Sequence, residues 1–513
     1  MPHEELADRI VSAMTDEELL AQMLMFGWAG TDPSREVIRW VEERSLGSIK
    51  IFGWNTDNTR KVAESVTLLQ RKAETGRFRI PLFVATDQEG GWIRHIKGLT
   101  SETPGNLAIG ASGLPSDAWY SGYYIARELR AVGINLNFAP TVDLYTDHDS
   151  TIIGPRSFGE DARAAGILGM AFSQGSLAAG VLTTAKHFPG HGHTHSDSHG
   201  KLPVIDIDPE TLRSRELVPF RYLIDSGVPA IMSGHLSFPN IGGDGKPATF
   251  SPYLLQTLLR EEMGFEGLII TDDMMMNGAT EYAGSVSRAV QMAIEAGNNI
   301  IESSTTPGFQ DTLWTGNLTR MKQSSGFRDQ VAGSARRIIL AKLEYFKDGK
   351  NSIYPDMDKI EERIPDREGE SFFLSQAVRS VTTVRENPAI PVSGQSILIA
   401  GSFSSFRSLG KQRFPEADTA GINNSLPALA RRYDTLIFCL ANRDNLSILK
   451  EMENSKTNII VVSILSPVLL NEVPWVQNAL AVYSYSPWSF IAAFGALAGD
   501  FKPDGTMPLK DMY

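Results

Sequence analysis

The sequence predicts an α/β protein: a TIM-type (β/α)8 barrel followed by a smaller α/β sandwich-like domain. Three observations carry this. Short apolar runs alternate with amphipathic helical stretches through residues 1–346, the order expected of parallel βαβ units. Polar residues gather where those runs end, at Asp87, Asp143, Lys186, His187, His235 and Asp272. In such a barrel the strand ends form the catalytic rim. Finally, 513 residues exceed what one core organises, so a second domain is expected.

Thr15-Asp16-Glu17-Glu18 has the form of a helix capping box, and the apolar run 19–25 follows it. Strand-like runs recur at 47–52, 82–86, 134–140, 181–188, 230–236, 268–272 and 299–303. Amphipathic stretches at 119–131, 209–225 and 286–296 lie between them. A helix over 330–346 closes the barrel domain, placed at 1–346. Residues 347–370 are charged, contain Pro355 and Pro365, and read as a linker. The C-terminal α/β domain, 371–513, has buried-strand patterns at 396–400, 435–440, 458–464 and 480–485 and no obvious catalytic cluster.

Composition narrows the function. A formal net charge of −12 disfavours nucleic acid and anionic lipid as partners. No run approaches the ~18 apolar residues of a membrane span. Met1-Pro2-His3-Glu4-Glu5 lacks the basic-then-apolar start of a leader, so a cytoplasmic protein is expected. The single cysteine, Cys439, sits in an apolar run and reads as a core residue. Oligomeric state is left open.

The densest chemical signal runs from Lys186 to His199 and holds five of the nine histidines. Pro189, Gly190 and Gly192 make it a loop leaving a strand. Asp197-x-His199 can set a carboxylate against one imidazole nitrogen, which orients the ring and raises the basicity of the other nitrogen. Alternation at His191, His193 and His195 also invites zinc, although flexible glycines disfavour a preorganised metal set. For His193 and His195 a solvated loop position is the simpler reading.

A second signal is Thr271-Asp272-Asp273-Met274 at the end of an apolar strand. Consecutive strand residues point opposite ways, so one aspartate faces the barrel axis. An ionised aspartate there can attack an anomeric carbon; Asp273 reads equally well as a cap for the next helix. Asp87-Gln88-Glu89-Gly90-Gly91 places a carboxylate at a strand end, suited to vicinal sugar hydroxyls. Gly154-Pro155-Arg156-Ser157 offers an arginine in a turn-rich loop.

Together these stretches resemble glycoside hydrolase family 3, in particular its β-N-acetylglucosaminidase branch. Supporting likeness runs through 128–140 and 231–235, and more faintly through 499–505. The resemblance implies a retaining enzyme with Asp272 as nucleophile and His199, oriented by Asp197, as acid/base. It also implies that Asp87, Arg156, Lys186 and His187 bind the non-reducing sugar, with His235 and Trp92 as further rim candidates, and that no cofactor or metal is needed. Three positions depart from the branch: Trp92 replaces arginine, while His193 and Asn299 each replace aspartate. A tryptophan at the rim would stack on a pyranose face. The expected activity is exo-acting release of N-acetylglucosamine from cell-wall fragments or chitooligosaccharides. A phosphorylase, a β-glucosidase or β-xylosidase, a non-catalytic sugar-binding protein and a metallohydrolase are the rivals.

Overall fold

The computed structural model describes residues 1–150, 152–194, 202–242, 245–346, 349, 351–385, 390–392, 396–510 and 512. Thr15 and Glu18 form the capping box, each side chain bonding the other's backbone N–H, and start the helix Asp16–Gln22. The apolar run 19–25 then serves two elements. Leu19 and Leu20 bury one helix face, and the chain turns at Met23 into strand β1 (Leu24–Phe26). The helical start had concealed this first barrel strand.

Seven further strands follow: β2 (Ser48–Lys50), β3 (Phe83–Thr86), β4 (Leu136–Asn137), β5 (Leu182–Phe188), β6 (Ala230–Ser233), β7 (Leu268–Thr271) and β8 (Ile301–Ser303). All pair in parallel in the order β8-β1-β2-β3-β4-β5-β6-β7. A parallel bridge between Ile270 and Ile300 joins the two ends into a ring. The strands are short and apolar, and Leu24, Ile49, Val84, Ile231, Ile270 and Ile301 are all buried in one core. Helices at Pro115–Ala131, Ala162–Ala178, Leu217–Asp225, Val286–Ala296 and Ser325–Phe346 cover the outside. This is the expected eight-stranded α/β barrel.

The second sheet contains β9 (Thr382–Arg385), β10 (Ile397–Ala400), β11 (Asp418–Ala420), β12 (Thr435–Leu440), β13 (Asn458–Ser463) and β14 (Asn478–Ala481), ordered β9-β14-β13-β12-β10-β11. Only the edge strand β9 is antiparallel to its neighbour. Alternate residues feed opposite faces: Leu436 and Phe438 pack in one core, Ile437 and Cys439 in the other. Covering on both faces explains why these strands read as unbroken apolar runs. Cys439 is fully buried, and burial pushes its thiol up to about 12.

The stretch between the sheets is partly helical, with Ile360–Arg363 followed by Arg367–Ser380. The latter helix places Phe373 in the barrel core and Ala377 in a core of the second sheet. Its Arg379 pairs with Asp117 of the barrel at 2.6 Å. Among the described residues, no helix is long and apolar enough to cross a membrane.

Candidate active site

The barrel strands deliver charged side chains to one end. β2 finishes on Lys50, β3 runs into Asp87, β5 carries Lys186 and His187, β7 runs into Asp272, and β8 carries Glu302. After Asp87 the chain forms a small hairpin, Gln88–Gly90 against Ile93–Arg94. Asn137 of β4 fixes its root, accepting from the Gln88 N–H and donating to the Gln88 carbonyl, both at 2.9 Å. At its tip the backbone passes Gly105 so closely that a Cβ there would lie 2.9 Å from the Gly91 Cα.

These groups form a connected line of alternating acid and base. Lys50 Nζ lies 2.6 Å from Glu302 Oε1 and 2.9 Å from Asp87 Oδ2. Lys186 Nζ lies 2.6 Å from both Asp87 Oδ1 and Glu89 Oε1. Arg156, in the turn Gly154–Arg156, grips Glu89 through two bonds of 2.9 and 2.7 Å. Burial alone would raise the Asp87 carboxyl, yet Lys186 and Lys50 hold it well below the usual range. Glu89 is likewise held down to about 2 by Arg156 and Lys186 against its burial. Both are therefore acceptors at neutral pH, suited to sugar hydroxyls.

On the other side of Lys186, His187 Nδ1 meets Asp143 Oδ2 at 2.7 Å. Asp143 also accepts the backbone N–H of His191 at 2.7 Å and of His187 at 3.1 Å, tying the start of the histidine loop to the rim. Despite its burial, Asp143 is held ionised by His187. Gly192 permits the loop's approach, since a Cβ there would fall 1.6 Å from the Leu144 carbonyl oxygen.

Asp272 follows β7. Its N–H donates to the Ser233 carbonyl at 3.1 Å, and its Oδ1 accepts the Asp273 N–H at 2.8 Å. Burial pushes its carboxyl up, but His187 and His235, with the Asp273 N–H and Lys50, outweigh that and hold it down to about 2. The side chain remains partly open to solvent. Asp273 points elsewhere, accepting from the Met275 and Ser304 N–H groups, each at 3.0 Å. Strand alternation thus assigns the two aspartates different tasks.

His235 has both ring nitrogens engaged, by Thr249 Oγ1 at 2.9 Å and the Asp273 carbonyl at 3.0 Å. Trp92 stands at the hairpin tip, 36% exposed. His193 is exposed. Asn299 lies away from this cluster, joining the Ile269 N–H, Arg260 and Ser334. Asp197, His199 and His195 lie outside the described residues. Among the described residues no group of three or more His, Cys, Asp or Glu is placed to hold a metal ion.

The profile described as glycosyl hydrolase family 3 N terminal domain matches residues 14–338, which takes in every barrel strand. The chain belongs to glycosyl hydrolase family 3. Family relatives include Beta-hexosaminidase A of Pseudoalteromonas piscicida, 35% identical over 272 residues, covering 50% of this chain and 45% of that protein's length. A Beta-hexosaminidase of Xylella fastidiosa strain M23 is 34% identical over 285 residues, 54% of this chain and 82% of the relative. Among solved structures, a family 3 β-N-acetylglucosaminidase from Paenibacillus sp. str. FPU-7 superposes with a TM-score of 0.89 at 27% identity, covering 97% of this chain and 99% of that one.

Within this family 3 barrel, sequence reading missed Lys50 and Glu302 and gave no part to Glu89. Lys50 and Glu302 had a signal: each is a lone charge inside an apolar run, and a buried charge requires a partner.

Proposed function

We propose that this family 3 enzyme is an exo-acting, retaining β-N-acetylglucosaminidase that releases terminal N-acetylglucosamine from cell-wall fragments or chitooligosaccharides in the cytoplasm. The observation that carries the reading is Asp272: a half-buried carboxylate held ionised on the same barrel rim as a line of acceptors and donors suited to sugar hydroxyls. The names of the Pseudoalteromonas, Xylella and Paenibacillus proteins support the choice of sugar.

In this reading Asp87, Lys186, Glu89 and Arg156 hold the hydroxyls of the terminal sugar. Asp272 attacks the anomeric carbon as the aglycone oxygen takes a proton from His199. The same imidazole, oriented by Asp197, then removes a proton from water, which cleaves the glycosyl ester and retains the configuration. His187, braced by Asp143, stabilises the Asp272 charge in the free enzyme. Trp92 at the hairpin tip offers an aromatic face to the aglycone.

The test is cleavage of aryl β-N-acetylglucosaminide beside aryl β-glucoside, with and without phosphate, by wild type and by Asp272→Asn. Hydrolysis of the first glycoside, lowered about a thousandfold or more in the variant, is expected. Preference for the glucoside, or product formed only as sugar 1-phosphate, would overturn the reading.

A further inference from the structure

We infer that Lys50 and Glu302 together are a positioning device for the sugar-binding carboxylate Asp87; the inference rests on the reading of Asp87 given above. Lys50 and Glu302 project from β2 and β8 into the barrel, and their side chains are 5% and 0% exposed. Neither has open access to a substrate. Lys50 nevertheless touches the site, because its ammonium forms an ion pair with Asp87 Oδ2 at 2.9 Å while Lys186 donates to Oδ1 at 2.6 Å.

A carboxylate held by one cation turns about its Cβ–Cγ bond. One held by a cation on each oxygen has its plane fixed, and the lone pairs left over point in defined directions. Lys186 alone leaves that plane undetermined, because it is shared with Glu89. Lys50 supplies the second tie. Glu302 in turn seats Lys50 from the far side at 2.6 Å. The Phe52 and Phe138 rings, 4.4 and 4.9 Å from the ammonium, hold it laterally. A buried ammonium with four such neighbours has one place to be.

The tether also reaches across the barrel. Glu302 lies on the strand next to the one that ends at Asp272, and the Glu302 N–H is bonded to Thr271 Oγ1 at 2.9 Å. The sugar-binding carboxylate follows β3 and the proposed nucleophile β7, which are not neighbours in the ring; the line Asp87–Lys50–Glu302 spans from β3 to β8, beside β7. Such a buried pair is costly to place and is not needed for packing, since apolar residues of similar volume would fill the space.

The test is a cycle of kcat/KM on aryl β-N-acetylglucosaminide in four proteins: wild type, Asp87→Asn, Lys50→Met/Glu302→Leu, and all three changes together. If the pair acts through Asp87, its replacement lowers kcat/KM about tenfold or more in the wild type, chiefly by raising KM. In the Asp87→Asn background the same replacement changes it less than about twofold. Equal losses in both backgrounds would overturn the inference and leave the pair as packing. Thermal melting checks that each protein folds, and Lys50→Gln gives the same cycle should the apolar pair not fold. A wild type that cleaves while the losses add refutes the tether alone. A wild type that does not cleave refutes the underlying reading, and the tether with it.

Discussion

His191 shows most plainly what the rim demands of a single residue. It is 3% exposed, its ring packs edge-on against His187 at 5.7 Å, and neither ring nitrogen has a hydrogen-bond partner among the described residues. Burial, reinforced by His187, pushes it down to about 4. The unfolded chain titrates near 6.5, so between the two values it holds a proton that the folded chain refuses. Stability contributed by this residue is therefore lost as pH falls from about 6.5 to about 4. Comparing melting temperatures of His191→Phe and wild type across that range should show the difference moving in the variant's favour as pH drops. A constant difference would mean that the buried ring accepts its proton. Asp272, held near 2, has the same sign at lower pH, its contribution being lost only as pH falls from about 3.8 to about 2, and it stays ionised above that. The acid side of kcat/KM should then show no limb from this carboxylate between about pH 4 and 6.

At the scale of elements, the site depends on how two connections leave their strands. The loop after β5 is drawn onto the rim by Asp143 and lies flat on Leu144 only because residue 192 is glycine. Gly192→Ala should lift the loop and lower kcat by about a hundredfold, with a lowered melting temperature but an unchanged far-ultraviolet spectrum. Near-wild-type turnover would show that the loop does not need this approach. The sequence made the elements legible where their pattern was clean. Helices 119–131 and 286–296, and strands 435–440 and 458–464, agree with the structure to within a few residues, because amphipathic period and continuous burial leave strong marks. β1 was hidden because three strand residues follow a helix with one intervening position. β9 and β11 were hidden because edge strands alternate or expose their side chains: Thr383, Asp418 and Thr419 are exposed. Asp272, Asp87, Lys186, His187 and Arg156 were legible as charges at strand ends and turns. The pairing of Lys50 with Glu302 and the bracing task of Asp143 were not, since each depends on which residues the closed barrel brings together across its interior.

For the whole molecule, the charges at the two ends of the barrel behave differently. At the rim the buried cations Lys50, Lys186 and Arg156 each meet a carboxylate. Beneath β2, Lys342 of the helix Ser325–Phe346 is buried with Gln22 Oε1 at 3.1 Å and the Gly47 carbonyl at 2.7 Å. Burial pushes its amine down to about 7. With an unfolded value near 10.4, stability falls as pH drops from about 10 to about 7, because only the unfolded chain readily keeps the proton. Lys342→Met should gain on wild type in melting temperature over that interval, although it leaves two acceptors unpaired. A gap independent of pH would show that the neutral acceptors suffice to hold the charge. The helix Arg367–Ser380, with Phe373 in one core and Ala377 in another, joins the second sheet to the barrel.

Asp272 is the residue expected to become glycosylated. The most direct measurement is mass spectrometry of proteolytic fragments after reaction with a fluorinated N-acetylglucosaminyl fluoride, a donor that forms the glycosyl-enzyme faster than water resolves it. One sugar is expected on the fragment containing Asp272, and none in Asp272→Asn. Attachment at another carboxylate would contradict this, as would turnover with inversion at the anomeric carbon and no adduct.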